Sequence, residues 1–77
     1  MFVYKEFTCN VDENGIVTIP LSLDYIIVCA VSYGYWIDSI KGDTTNNLWH
    51  LRITTYQGVN ITNQPTINVK CLFYKIK

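Results

Sequence analysis

Seventy-seven residues, 49% hydrophobic and only 16% charged, make one compact domain and exclude both a disordered tail and a second folded unit. Six basic residues balance six acidic ones and no Lys/Arg run exists, so nothing in the chain suits a nucleic-acid backbone as partner. A domain this small buries only about 60% of the surface its unfolded chain exposes, so self-association is expected to add to its stability.

Met1-Phe2-Val3-Tyr4-Lys5-Glu6 lacks a basic region leading into an apolar core and cleavage site, so synthesis in the cytoplasm without a signal peptide is expected. The longest apolar run, Tyr25 to Val31, is far shorter than the roughly 20 residues of a membrane helix, and membrane insertion is not expected. Cys9, Cys29 and Cys71 are odd in number, widely spaced and form no Cys-x-x-Cys pair. That is a poor disulfide framework, and it favours reduced core thiols.

Val, Ile and Thr account for 25 residues against a single alanine, which directs the chain to pleated sheet rather than helix. In chain order, Phe7, Cys9 and Val11 alternate with Thr8 and Asn10, and Asp12-Glu13-Asn14-Gly15 supplies turn chemistry. Together with Ile16 to Leu21 this reads as a hairpin. Pro20 cannot donate to a ladder and belongs at an edge or strand end. Tyr25 to Tyr33 is apolar on both alternating sets: Ile27, Cys29 and Val31 on one, Ile26, Val28 and Ala30 on the other. Both faces of this strand are therefore expected to be covered.

Tyr35 to Ile40 forms the next strand and runs into a polar loop, Lys41 to Asn47. From Leu48 to Tyr56 the alternation is clean, with Trp49, Leu51, Ile53 and Thr55 expected on the dry face and His50, Arg52, Thr54 and Tyr56 on the wet one. Val59 to Thr62 is an edge strand or a folded-back loop, ended by Asn63-Gln64-Pro65. The last run, Thr66 to Lys77, points Ile67, Val69, Cys71 and Phe73 one way, while Leu72, Tyr74 and Ile76 form a second apolar side. These elements predict an all-β domain over residues 1–77, a small antiparallel β-sandwich or barrel of roughly five to seven strands.

Catalytic chemistry finds little support. A nucleophile needs an oriented base, and the single histidine, His50, alternates with Arg52 on the wet side while the cysteines lie on apolar strand faces. Zinc held by three cysteines and His50 would lack any knuckle spacing. Asp24, Asp38 and Asp43 read as turn and loop acids rather than paired glycosidase carboxylates. The four glycines are scattered turn formers, not a phosphate loop, and Asn60-Ile61-Thr62 matches a glycosylation sequon by accident. The chain is expected to be no enzyme, with no cofactor and no metal.

Six tyrosines and two tryptophans exceed what so small a core needs, so some must face outward. Tyr33, Tyr35, Trp36 and Tyr56 flank the Gly34 and Gln57-Gly58 turns. With Asp38, Asn46, Asn47 and Asn60 they are the candidate ligand-binding residues, rings stacking on sugar faces and polar groups bonding hydroxyls. The competing assignment makes Trp36 and Trp49 core anchors and the tyrosines an interface lining.

Asp12-Glu13-Asn14-Gly15, then Ile19-Pro20-Leu21, the strand Tyr25-Ile26-Ile27-Val28-Cys29-Ala30-Val31 and the closing strand Val69-Lys70-Cys71-Leu72-Phe73-Tyr74-Lys75-Ile76 follow one another in a succession that resembles the small C-terminal head domains of phage and prophage tail fibres. The resemblance spans most of the chain and is one of pattern, without a diagnostic motif. It implies a β-sandwich that trimerises about a fibre axis in the virion and contacts a cell-surface glycan or protein with its distal loops. Leu72, Tyr74 and Ile76 are the expected homo-oligomer interface, with a homotrimer favoured. The alternative is a structural virion or baseplate protein that uses the same surfaces for assembly alone.

Overall fold

The computed structural model describes residues 1–63 and 66–76. The break read at Gln64 and Pro65, and the terminal Lys77, lie outside the described residues. Six strands form: β1 (Phe2–Cys9), β2 (Ile16–Pro20), β3 (Tyr25–Ser32), β4 (Trp36–Asp43), β5 (Leu48–Thr54) and β6 (Ile67–Lys75). They make two antiparallel three-stranded sheets, ordered β1-β6-β3 and β2-β5-β4, packed as a small β-sandwich. The described residues contain no helix, as the scarcity of alanine and abundance of β-branched side chains require.

Strict alternation builds the core. Ile67, Val69, Cys71 and Phe73 of β6 face Val17 and Ile19 of β2 and Leu51 and Ile53 of β5, with Val11 closing one end. Both most buried strands are central in their sheets, where each has a partner on either side. Pro20 ends β2, an edge strand, where its missing N–H leaves no gap in a ladder.

Four local readings are corrected. Phe7-to-Leu21 is not a hairpin: β1 pairs with β6 and β2 with β5, so the Asp12–Gly15 turn is a corner carrying the chain from one sheet to the other. Turn chemistry is the same in both settings. Asp12 Oδ1 accepts the Asn14 and Ile16 N–H groups at 2.8 and 2.9 Å, and the Gly15 N–H donates to the Asp12 carbonyl. Next, a bulge at Val28 shifts the parity of β3. Tyr25, Ile27, Ala30 and Ser32 point inward, whereas Ile26, Val28, Cys29 and Val31 point out and are exposed.

It follows that only one face of β3 is covered within the chain. Cys29 is likewise not a core thiol, although all three cysteines are free, with Cys71 buried and Cys9 half-buried. Burial pushes the Cys71 thiol up to about 11. Finally, β4 runs on to Asp43, so the polar loop read from Lys41 is shorter, a tight hairpin over residues 44–47.

Candidate functional site

Two turns at one end of the sandwich bring aromatic side chains together. In the first, the Tyr35 N–H donates to the Ser32 carbonyl at 3.2 Å and Gly34 takes φ +84°, a left-handed conformation that glycine adopts without a Cβ penalty. This turn lifts Tyr33, 97% exposed, into solvent and sets Tyr35 half-buried against the core. In the second, Thr55 organises the chain beyond β5. Its N–H donates to the Val59 carbonyl at 2.8 Å, and its hydroxyl accepts the N–H groups of Gln57 and Val59. Tyr56 therefore sits at a turn held by four hydrogen bonds, counting that from the Gly58 N–H to the Thr55 carbonyl, rather than on a loose loop.

Trp36 opens β4 opposite Thr54, so its ring stands beside this turn. Trp36 and Tyr56 are 59% and 67% exposed, and both line two adjoining depressions. One, of about 280 Å³, is floored by Ala30, Val31 and Ile37 with Tyr35 on its wall. The other, of about 290 Å³, carries Asp38, Gln57 and the backbone of Gly58. Both lie near the lower end of small-ligand sites, about 300 Å³. A bulge between Ile37 and Ser39 leaves Asp38 on the solvent side with Trp36, and its carboxylate makes no hydrogen bond among the described residues. The arrangement offers two flat apolar rings, a free carboxylate and an amide around one depression.

Five of the eight expected ligand residues, Tyr33, Tyr35, Trp36, Asp38 and Tyr56, thus gather at one end. Asn60 lies beside them, bridged to Thr54, with its side-chain oxygen accepting the Arg52 Nε–H at 3.2 Å. Asn46 and Asn47 do not join: they belong to the β4–β5 hairpin tip at the far end of β4, and at roughly 3.3 Å per residue an eight-residue strand holds the two ends about 25 Å apart. Their work there is structural. Asn46 donates from its side chain to Asp43 Oδ2 at 2.8 Å, and Asn47 sits at φ +55° with its carbonyl accepting the Leu21 N–H. Gln57 was not among the expected ligand residues. Only its place beside Gly58 in a turn next to Tyr56 could have marked it.

At the far tip, Asp43 Oδ1 accepts the Thr45 and Asn46 N–H groups at 3.1 Å and Oδ2 lies 3.3 Å from His50 Nε2. The Asn46 side chain, His50 and the Asn46 backbone hold the Asp43 carboxyl down to about 2, below its ordinary 3.8. A carboxyl lowered in the folded state stabilises fully above its unfolded value and loses that contribution as pH falls. Acid melts between pH 4 and 2 should therefore show a stability loss that Asp43→Asn removes. Identical slopes for both proteins over that range would contradict the assignment.

Comparison with protein-family models, curated proteins and solved structures finds no match to this chain.

Proposed function

We propose that this chain is a non-enzymatic recognition domain, a tail-fibre-like head that grips a cell-surface glycan or protein at the Trp36–Tyr56 end. The observation that carries the reading is the pairing of two exposed rings over adjoining depressions, with Asp38 and Gln57 at hand. Exposed aromatics held by short turns supply contact area at little entropic cost, and an unpaired carboxylate gives hydroxyl groups an acceptor. His50 bonds Asp43 at the opposite tip, where no cysteine or serine accompanies it among the residues lining that end, so a hydrolytic reading gains nothing from the geometry.

Binding to glycan arrays and to intact bacterial cells tests this. Trp36→Ala and Tyr56→Ala are each expected to weaken binding tenfold or more while thermal stability changes little, as for exposed hot-spot aromatics. Wild-type protein that binds neither array nor cells, or binding indifferent to both substitutions, would count against it. The assembly reading draws support from a different surface, the apolar outer face of the β1-β6-β3 sheet. If the wild-type chain assembles through that face, Ile26→Lys abolishes the assembly, and no cell binding is seen that depends on Trp36 or Tyr56, that reading prevails.

A further inference from the structure

The strand register sets three rows of side chains across the outer face of the β1-β6-β3 sheet: Phe2, Tyr74 and Ile26, then Tyr4, Leu72 and Cys29, then Glu6, Lys70 and Val31. The first two rows are apolar, and the β3 bulge adds Val28 to them. Phe2, Tyr4, Ile26 and Val31 are each more than half exposed, although a β-strand interior is where such side chains are usually dry. The Phe2 and Tyr74 rings meet edge to face at 5.4 Å, so part of the patch is already ordered and loses little freedom on contact.

Area and charge choose the occupant. Phe2, Tyr4, Ile26, Val28, Val31 and Tyr74 are 42–63% exposed and present on the order of 500 Å² of apolar surface. That is at the upper end of the largest patch of a typical monomer, about 300–600 Å², and over half of the ~800 Å² that each partner buries in a stable complex. The face carries one acid and one base, Glu6 opposite Lys70, so it is neutral and complementary to itself. On the other sheet's outer face the charged and polar Thr18, Ser39, Lys41, Asp43, His50 and Arg52 separate Ile16, Pro20 and Leu48, and Trp36 stands at one end, so no continuous apolar patch of that size forms there.

We propose that a second copy of this chain covers the outer face of the β1-β6-β3 sheet, with Phe2, Tyr4, Ile26 and Tyr74 at the centre of the contact and Glu6 and Lys70 at its rim. Of the residues expected at an interface from the sequence, Leu72 and Tyr74 then form only the β6 part of a contact that spans all three strands, and Ile76 lies just beyond the end of β6. The inference stands apart from ligand recognition, because mass and glycan binding are separate measurements.

Sedimentation velocity between about 1 and 100 µM should give the mass of an oligomer for the wild-type chain. Ile26→Lys combined with Phe2→Ser should raise its dissociation constant on the order of a hundredfold, since each change occurs once per copy in the contact. Thr18→Lys, on the outer face of the other sheet, should leave the mass unchanged. Alkylation of exposed Cys29 in the wild-type chain should slow as protein concentration rises, a readout that needs no variant to fold. A monomer throughout the range overturns the proposal. So does an oligomer that survives the double substitution, or a Cys29 that reacts at one rate at every concentration.

Discussion

Leu51→Ala is expected to leave the chain only marginally stable at 37 °C. Leu51 is fully buried on the central strand of its sheet, with Val17 on β2 and Ile40 on β4 as its cross-strand neighbours. Removing its branched side chain costs lost transfer energy plus a cavity, about 3–4 kcal/mol in total. A domain of this size holds only about 5 kcal/mol, so the substitution consumes most of the reserve. At roughly 4–8 °C per kcal/mol, the melting temperature should fall by about 15–25 °C at matched protein concentration. Leu51→Met keeps the volume and should cost less than about 1.5 kcal/mol. Comparable melting temperatures for the alanine variant and the wild type would mean that the two sheets do not pack through this residue.

The second large effect belongs to Gly15. Its φ of +77° lies in the left-handed region, and a Cβ there would come within 2.9 Å of the Ile61 carbonyl oxygen, a backbone atom that cannot swing aside. The Gly15 carbonyl also accepts the Ile53 N–H at 2.9 Å, and the Ile61 N–H donates to the Ile53 carbonyl at 3.2 Å, so three segments meet at one point. Gly15→Ala therefore combines backbone strain with a steric clash and should cost about 2–3 kcal/mol. Gly34→Ala is the matched comparison. Gly34 has a similar φ of +84° but open space where its Cβ would go, so only the conformational penalty of about 1 kcal/mol applies. Chemical denaturation of both variants should rank them in that order, and a reversed order would refute the role given to the crowding around Gly15.

Legibility tracked locality. β5 and β6 declare their dry faces because no bulge interrupts the residues that alternate, and Leu51, Ile53, Val69 and Cys71 are buried as the pattern requires. At the end of β5, however, Thr54, expected on the wet face, is buried, and Thr55, expected on the dry one, is only half-buried. β3 and β4 each carry one extra residue, at Val28 and Asp38, and a single insertion sends every later side chain to the opposite face. In β3 this exposed Cys29 and Val31 together with Ile26. Nothing in a run of branched residues marks where pairing with β6 slips. Which sheet a strand joins was hidden for a different reason: Asp12–Gly15 has the same local hydrogen bonding whether the flanking strands pair with each other or part company.

The aromatic end was readable because its residues sit within two residues of glycine turns, and both turns fall at the same end of the sandwich. Proximity in sequence misled for Asn46 and Asn47. They lie in the turn that follows β4, whose other end carries Trp36 and Asp38, and that strand separates them by its full length.

β1 and β3 have no ladder with each other; each pairs only with β6, which slots between them. During translation, then, half of the sandwich has to wait for its keystone. Until β6 clears the ribosome, β1 and β3 are two unclaimed edges that any passing extended segment could occupy, including β6 from a neighbouring nascent chain. Closure joins residues more than 60 positions apart, as in Phe2 against Tyr74, which sets refolding in the millisecond-to-second range of non-local β topologies rather than the microseconds of helical bundles.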